Sequence, residues 1–362
     1  MIVDGRQLVD FSSNDYLGLA RHPAVAAAMS ECAGRCGSGS GASHLVTGHG
    51  AEHAQLEEEL AAFTRRERAL LFSTGYMANL AVIATLAERG ESVLLDRLSH
   101  ASLIDGALLS GARFKRYAHA DVAAAESALA AHAESVAVVA TDGVFSMDGD
   151  VGPLDDLARL SRAHDAWLVV DDAHGLGVIG ANGRGAVEHF GLDTDAVPVL
   201  VGTLGKAFGS FGAFVAGSRE VIELLMQKAR SYIYTTALPQ PVAAASRKAL
   251  EVSQRETWRR ERVLALTARF RAGAEQMGVR VMAQAAALTP IQPIIVGSAE
   301  AALRAQRDLL AMGFCVVGIR PPTVPRGSAR LRVTLSAAHT EDQVDGLVEA
   351  LSRACASSDI VC

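Results

Sequence analysis

The stretch "LVGTLGKAFGSFG" at residues 200–212 decides the fold, because it places Lys206 among glycines and apolar side chains. The apolar, β-branched run that leads into it, "VPVLVG", is typical of a strand buried on both faces of a sheet. Removing an ammonium group from water without compensation costs several kcal/mol, so such a lysine is paired, neutralised or used chemically. We therefore expect Lys206 to follow a buried strand and to have a partner.

The sequence around this stretch alternates short apolar runs with amphipathic helical segments. That alternation is typical of an α/β domain with a mostly parallel sheet. From about residue 240 the chain becomes charged and helical, and strands of a smaller α+β unit follow. We predict an N-terminal arm, a large domain, and a C-terminal small domain that includes the connecting helix, at residues 1–20, 21–240 and 241–362.

Composition excludes several classes of function. The chain has 362 residues, of which 50% are hydrophobic and 20% charged, with a net charge of -6 and no long block of one sign, so we expect neither a nucleic-acid partner nor a membrane surface. The N-terminus lacks the pattern of a secretory signal, and the most apolar window carries Lys206 near its middle, which favours buried strands over a membrane span. The five cysteines lack zinc-site spacing, so we predict no metal site and a cytoplasmic protein.

Polar residues at the carboxyl ends of the predicted strands are the first candidates for function, since ligands of open α/β sheets collect there. Gly75 follows one strand and opens a helix whose amides could hold a phosphate, although most such turns bind nothing. Asp171 and His174 follow a second strand, where a solvated loop or a metal pair is the alternative. His100 follows a third strand, and a structural histidine is the alternative.

Thr203 and Lys206 follow the strand of the opening stretch. A lysine in an apolar site has a lowered pKa and can condense with an aldehyde to give a Schiff base. An aldehyde cofactor with a phosphate and a ring nitrogen also needs an amide-rich phosphate seat and a carboxylate facing that nitrogen, which Gly75 and Asp171 would supply. Pyridoxal 5'-phosphate (PLP) is that cofactor, and a lysine with an aspartate partner is its usual protein signature.

Several longer blocks carry a family resemblance, in the same order over nearly the whole chain: "SNDYLGL", "DRLSHASLIDGA", "DGVFSMDGD", "DDAHGLGVIG", "TLGKAFG" and "IRPPTVPRGSARLRVTLSAAH". They resemble the α-oxoamine synthases, which are PLP-dependent transferases of fold type I. The resemblance implies that fold, with the large mostly parallel domain and the smaller C-terminal domain. The segment "RPPTVP" favours the member that condenses L-alanine with pimeloyl-CoA, or with a pimeloyl-acyl carrier protein, in biotin biosynthesis, with loss of carbon dioxide.

The resemblance also implies a role for each matching residue. Catalytic roles fall on Lys206, His100 and Asp171. Contacts with the cofactor fall on Gly75, Tyr76, Ser146, Asp171, His174, Thr203, Lys206, Thr235 and Thr236. Contacts with the substrate fall on Asn14, His100, Thr323 and Arg332.

Two of these roles concern the substrate carboxylate and the neighbouring subunit. Arg332 would bind the amino-acid carboxylate through its guanidinium fork, and a surface arginine at a strand edge is the alternative. Asn14 could instead be an ordinary loop cap and Thr323 a turn residue after two prolines. Thr235 and Thr236 would reach the phosphate bound by the neighbouring subunit, which implies a homodimer.

Other activities fit the same fold, because fold and cofactor alone do not fix the reaction. The alternatives are a relative that uses glycine, a PLP-dependent aminotransferase or aldolase, and a PLP-binding protein without catalysis. Arg6 does not match the family's acyl-binding arginine and receives no role. His44, in "GASHLVTG", stands where many relatives have another residue.

Overall fold

The computed structural model describes residues 1–3, 5–131, 136–283 and 286–356. The chain groups into two compact units. The larger unit comprises Leu19–Phe145 and Val151–Arg255, and the smaller comprises Met1–Gly18, Ser146–Asp150 and Glu256–Cys362. The first residues of the chain thus group with the C-terminal segment, while the ranges 1–20, 21–240 and 241–362 remain predictions of domain boundaries.

The strands and helices alternate over most of the larger unit. In chain order the strands are β1 (Ile2–Val3), β2 (Arg6–Gln7), β3 (Val9–Asp10), β4 (Arg68–Phe72), β5 (Ser92–Asp96), β6 (Arg113–Tyr117), β7 (Val136–Asp142), β8 (Trp167–Asp171), β9 (Val199–Thr203), β10 (Ala213–Gly217), β11 (Ile291–Gly297), β12 (Phe314–Cys315), β13 (Val317–Ile319) and β14 (Ala329–Thr334).

The α-helices are α1 (Pro23–Cys36), α2 (Ala51–Thr64), α3 (Gly75–Leu86), α4 (Ala101–Ser110), α5 (Val122–Ala130), α6 (Leu154–Ala163), α7 (Ala186–His189), α8 (Arg219–Lys228), α9 (Arg230–Ile233), α10 (Gln240–Arg255), α11 (Trp258–Gln276), α12 (Ala299–Ala311) and α13 (Glu341–Ala356). A π-helical turn, His44–Gly48, precedes α2. Among the described residues, no helix is both long and apolar enough to cross a membrane.

The larger unit is built on a seven-stranded sheet in the order β4-β10-β9-β8-β7-β5-β6. Its central strands pair in parallel, and their side chains are buried on both faces, as the apolar runs of the sequence predict. Strand β10 is antiparallel to both β4 and β9. It cannot run parallel to β9, because a parallel crossover needs about a dozen or more residues and the connection from β9 to β10 has only residues 204–212. The predicted α/β class with a mostly parallel sheet is confirmed.

This strand order aligns polar residues at one edge of the sheet. Asp142 at the end of β7 is the register partner of Asp171 at the end of β8. Strand β9 lies on the other side of β8 and ends at Thr203. Since the carboxyl ends of adjacent parallel strands meet at the same edge, the loops after β7, β8 and β9 lie beside one another.

The smaller unit is an α+β structure. Its three-stranded antiparallel sheet has the order β11-β14-β13, and β12 pairs in parallel with β3 of the N-terminal segment. Strand β14 is central and fully buried, although it carries two arginines. The predicted connecting helix is two helices, α10 and α11, and the boundary between the units falls between them.

Candidate active site

Lys206 lies in the tight connection between β9 and β10. The N–H of Gly209 donates to the carbonyl of Lys206 at 2.8 Å, which closes a turn around the lysine. Gly209 has φ +61°, and a Cβ at this position would run into the backbone of Ala20. Glycine is therefore required here by both conformation and space, and the turn it permits presents the Lys206 side chain after β9.

Lys206 has a partner, as the sequence predicts, and this partner is His174. Lys206 Nζ lies 2.7 Å from His174 Nε2, and His174 is buried just after β8. An ammonium would donate to Nε2 and a neutral amine could accept from it, so this contact fits either charge state of the lysine. This contact joins two of the strand-end loops that the sequence singled out.

Asp171 ends β8 with its carboxylate fixed at both oxygens. Oδ2 accepts a hydrogen bond from Asn79 Nδ2 at 2.6 Å, and Oδ1 accepts from the N–H of Ala173 at 3.1 Å. The residue is buried, yet each carboxylate oxygen has a further lone pair available. Asp171 can therefore accept one more hydrogen bond from a cationic ring nitrogen without losing its support.

Asn79 also connects Asp171 to His100. Its Nδ2 donates a hydrogen bond to Ser102 Oγ at 2.8 Å. The Ser102 hydroxyl in turn donates its proton to His100 Nδ1 at 2.7 Å. The N–H of Ser102 donates to the same nitrogen at 3.3 Å, so His100 caps α4. With Nδ1 accepting twice, the neutral ring carries its proton on Nε2.

The pKa of His100 supports this assignment of the proton. Burial of the ring lowers the pKa of His100 below its usual value; the Asp171 carboxylate opposes that shift, and the positive charge of Lys206 adds to it. Part of the residue is nevertheless exposed, which leaves one side of the ring open. His100 is therefore a neutral imidazole with an available Nε2–H donor.

Two further acids lie at the same edge of the sheet. Asp142 accepts from the N–H of His100 at 3.0 Å, and burial, reinforced by the charge of Asp171, raises the pKa of Asp142 well above its usual value. Burial also raises the pKa of Asp172 to about 8, and its Oδ2 accepts from the N–H of Ala186 at 2.7 Å. Burial therefore favours the neutral form of both Asp142 and Asp172.

The N-terminus of α3 is a candidate binding site for an anion. Thr74 caps the helix by accepting from the N–H of Met77 at 3.2 Å, and a Cβ at Gly75 would meet no atom within 4 Å. The open space above Gly75 and the amides of the first turn suit a phosphate. Tyr76 is 42% exposed, and its hydroxyl is bonded to Asp105 on α4.

The structure fits PLP on the chemistry of its donors. A lysine, a carboxylate held in the interior and an open helix N-terminus are the groups that the aldehyde, the ring nitrogen and the phosphate of this cofactor require. Lys206 follows β9 and Asp171 ends the adjacent strand β8, while Gly75 follows β4, which β10 separates from β9. Because β10 is antiparallel to both β4 and β9, these strands end at the same edge of the sheet, as the sequence-based hypothesis of PLP requires.

The predicted threonines occupy separate positions in the same unit. Thr203 Oγ1 donates to the carbonyl of Gly212 at 3.1 Å and accepts from the N–H of Gly205 at 3.2 Å, so its hydroxyl organises the lysine loop. Thr235 and Thr236 follow α9, and Thr236 forms an isolated antiparallel bridge with Ser43. Their contacts with a phosphate, in this or a neighbouring subunit, remain predictions.

In the smaller unit Arg332 is buried rather than exposed at a strand edge. Its Nε donates to the carbonyl of Ser146 at 2.6 Å, its Nη2 to Asn14 Oδ1 at 3.1 Å and its Nη1 to Thr334 Oγ1 at 3.0 Å. Each of these acceptors is neutral. Within the part of the chain that the structure describes, this buried cation is therefore held by neutral oxygens and pairs with no carboxylate.

Arg330 shows the contrast on the same strand. It is buried too, but it forms an ion pair with Asp148 and donates to the carbonyl of Met147 at 3.4 Å. Thr323 lies apart, in an exposed turn where its N–H donates to the carbonyl of Arg320 at 3.1 Å. The structure thus brings Asn14, the main chain of Ser146 and Arg332 together, and it does not bring Thr323 into that group.

Sequence reasoning missed Asn79, Ser102, Asp142 and Asp172. Asp142 had an available signal, because it ends the predicted strand "VAVVATD" at the edge where ligands collect. Asn79 lies one helical turn beyond Gly75, and Ser102 lies two residues after His100. No pattern in the sequence links these two side chains, since their contact depends on how α3 and α4 pack.

Comparisons with known proteins place the chain among PLP enzymes. The family model for aminotransferase class I and II matches residues 6–351. A curated relative from Thioalkalivibrio sulfidiphilus named 8-amino-7-oxononanoate synthase is 60% identical over 361 residues, covering 99% of this chain and 91% of the relative.

Solved structures agree with these sequence matches. A serine palmitoyltransferase from S. paucimobilis with bound PLP-myriocin aldimine superposes with a TM-score of 0.95 at 32% identity, covering 99% of this chain and 90% of the other. An 8-amino-7-oxononanoate synthase from Francisella tularensis superposes with a TM-score of 0.84 at 33% identity, covering 98% and 99% of the two chains.

Proposed function

The chain belongs to the aminotransferase class I and II family and, within it, to the 8-amino-7-oxononanoate synthases, and we propose that it condenses L-alanine with a pimeloyl thioester. It is a PLP-dependent acyltransferase of fold type I, as its sequence predicts. The products are 8-amino-7-oxononanoate, carbon dioxide and the free thiol of the acyl carrier, in a step of biotin biosynthesis. The convergence of Lys206, His174 and Asp171 at adjacent strand ends carries this proposal.

The cofactor would be held by residues of the larger unit. Lys206 would bind it covalently, Asp171 would face its ring nitrogen, and the amides around Gly75 would hold its phosphate. When bound, PLP withdraws electrons from the Cα of an amino-acid substrate. Asn79 keeps the Asp171 carboxylate aimed and in place through the bond at 2.6 Å.

The remaining roles concern the proton and the substrate. Lys206 Nζ would take the proton from Cα of L-alanine, and His174 Nε2, 2.7 Å away, would position the lysine amine for that transfer. His100 would donate from Nε2 to an oxygen of the substrate, since Ser102 holds its Nδ1 as an acceptor. Arg332 would bind the alanine carboxylate, which supplies the negative charge that its protein partners lack.

The acyl carrier and the substrate contacts of Asn14 and Thr323 are also proposals. Either pimeloyl-CoA or pimeloyl-acyl carrier protein satisfies the chemistry, because the leaving group is a thiol in both. Asn14 would act by orienting Arg332 through their bond at 3.1 Å. Thr323, in its exposed turn, would contact the acyl donor from outside the Arg332 cluster.

We also propose a cytoplasmic homodimer. The larger unit exposes apolar side chains on segments near Thr236: Leu45 is 48% exposed, Val46 72% and Tyr234 71%. Exposed apolar clusters of this kind mark interaction surfaces. Sedimentation of the holoenzyme would show a dimer, and Val46→Asp would shift it towards monomer, whereas Met277→Asp, at an exposed methionine of the smaller unit, would not. A wild-type monomer would contradict this proposal.

The proposed reaction is tested by measuring thiol release from the PLP-loaded protein. L-alanine, glycine and L-serine are each combined with pimeloyl-CoA, acetyl-CoA and succinyl-CoA. We expect release with L-alanine and pimeloyl-CoA at a rate at least about tenfold above every other pair. Mass spectrometry of the product checks that carbon dioxide has been lost.

The other outcomes separate the alternatives. Preference for glycine with a short acyl-CoA would assign the chain to another α-oxoamine synthase. Amino-group transfer without thiol release would favour an aminotransferase. A PLP absorbance without turnover, with both pimeloyl-CoA and pimeloyl-acyl carrier protein as donors, would contradict the proposed activity.

A further inference from the structure

Three histidines cluster in the larger unit, away from the strand ends described above. His44 opens the π-helical turn, His49 follows it, and His53 lies in the first turn of α2. One ring nitrogen from each lies within 4.8 Å of the other two. Imidazole nitrogens are the commonest ligands of zinc and its neighbours in proteins, so this spacing is a candidate metal site.

The Nδ1 atoms of two of the rings are in direct contact. His44 Nδ1 lies 2.9 Å from His49 Nδ1. Zinc bound about 2.0–2.1 Å from each nitrogen would hold two such atoms about 3.3 Å apart, so the rings need to separate by only a few tenths of an ångström. His53 Nδ1 accepts the N–H of Gly50 at 2.9 Å, a weak neutral bond that a metal ion would replace.

The opposite nitrogens have the acceptors that orient metal-binding histidines. His53 Nε2 donates to the carbonyl of Leu238 at 2.6 Å, and His49 Nε2 lies 3.8 Å from Glu57 Oε2. The bond to Leu238 holds the His53 proton on Nε2, so Nδ1 carries the lone pair that a metal would bind in place of the Gly50 N–H. Glu57 is beyond hydrogen-bond distance of His49 and would approach it on metal binding. The His44 ring is held differently, by stacking on Tyr232 with the ring centres 5.0 Å apart and the planes at 12°.

The site can also be reached from outside. A cavity of about 280 Å³ is lined by His49 and Glu57, and His49 itself is exposed. A metal with its water molecules can therefore approach His49 through this opening.

We propose that His44, His49 and His53 form a binding site for a divalent transition-metal ion of the zinc class, with Glu57 orienting His49. Three imidazoles leave the fourth tetrahedral position to water. The ion would join the π-helical turn to α2, and through the His53–Leu238 bond it would stabilise the segment that carries Thr235 and Thr236. The prediction of no metal site rested on cysteine spacing and did not consider these histidines.

The test titrates cobalt(II), the probe for the zinc class, into chelator-treated holoenzyme and follows its visible d–d absorption. We expect one equivalent per chain, a tetrahedral spectrum, and displacement by zinc(II). His49→Gln changes an exposed side chain and preserves the fold; it should weaken cobalt(II) binding at least about tenfold, and Glu57→Gln about tenfold or more. His189→Gln, at an exposed histidine outside the cluster, is the matched control.

Two results would overturn the proposal. One is the absence of saturable cobalt(II) binding by the wild-type holoenzyme. The other is binding that His49→Gln and His189→Gln leave equally strong, which would assign the ion to another site. Thermal unfolding of the wild-type protein with and without zinc(II) gives an independent readout, since a ligand of the folded state raises the unfolding temperature.

Discussion

The strand-end site of the larger unit and the Arg332 cluster of the smaller unit have opposite imbalances of charge. Asp142, Asp171 and Asp172 lie at neighbouring strand ends where Lys206 is the nearby cation, and burial raises the pKa of the first and third. Around Arg332, by contrast, neutral oxygens hold a buried cation. In both regions the side chains are held by hydrogen bonds. The strand-end site has an excess of acidic groups that a cationic ligand would balance, and the Arg332 cluster has a positive charge that an anionic ligand would balance.

This difference indicates what each region binds. The hydrogen-bonded Asp171 side chain suits a protonated ring nitrogen, whereas a buried guanidinium that pairs with no carboxylate among the described residues suits an anionic substrate group. Arg330 supports the interpretation, because the same type of side chain on the same strand has Asp148 as its partner. A buried charge is costly unless compensated, so the missing partner points to a ligand.

The largest expected effect follows from removing the lysine of the strand-end site. Lys206→Ala should lower thiol release by about 10²- to 10⁴-fold or more, because the general base is lost together with the covalent link to PLP. The absorbance band of the lysine-bound cofactor should disappear as well. Lys228→Ala, at an exposed lysine on α8, is the control and should change neither signal. An unchanged band in Lys206→Ala would refute the assignment.

The second prediction tests the uncompensated cation. Arg332→Lys keeps the charge and loses the fork, so the KM for L-alanine should rise about 10- to 100-fold while kcat changes less. Arg330→Lys, whose partner is Asp148, should leave that KM unchanged. Steady-state rates with L-alanine varied at saturating pimeloyl-CoA measure both. A rise in the KM for pimeloyl-CoA alone would mean that Arg332 serves the other substrate.

The third prediction tests how the Asp171 carboxylate is held. Asn79→Ala removes a charge-assisted hydrogen bond of 2.6 Å, and the affinity for PLP should fall about 10- to 100-fold. Absorbance titration of the cofactor-depleted protein with PLP measures it. Asn182→Ala, at an exposed asparagine bonded to Glu188, provides the control. A lower unfolding temperature with unchanged PLP affinity would limit Asn79 to a structural role.

The fourth prediction concerns the protonation of Asp172 and is measured as stability rather than activity. Burial raises the pKa of Asp172 to about 8, so the folded protein binds one proton more than the unfolded chain between about pH 4 and pH 8. Its contribution to stability is therefore full below about pH 4 and falls by about 1.4 kcal/mol per pH unit up to pH 8.

Asp172→Asn mimics the protonated side chain and should remove this dependence. Relative to wild type, the variant should gain stability as pH rises from 6 to 8, and the difference should level off above pH 8. Chemical unfolding of both proteins at each pH measures it. Curves that stay parallel across this range would show that Asp172 does not keep its proton in the folded protein.

Much of the strand-end site could be predicted from the sequence because its signals are local. The apolar run before Lys206 predicts β9, and the glycines after it predict the turn that Gly209 closes. Asp171 and Gly75 were likewise found from their positions at strand ends. The choice of His174 as the partner of Lys206 needed the order of β8 and β9 in the sheet, which no local pattern reports.

The sequence by itself therefore determined the α/β class, the position of Lys206 after a buried strand, and the family, since each depends on residues close together in the chain. Only the tertiary structure decided that Arg332 is buried, that Asn79 joins Asp171 to Ser102, and that three histidines converge. Burial and side-chain contacts depend on strand register and helix packing. Strand register and helix packing bring together side chains that lie hundreds of residues apart in the chain, such as Asn14 and Arg332. The periodic pattern of apolar residues does not predict such contacts.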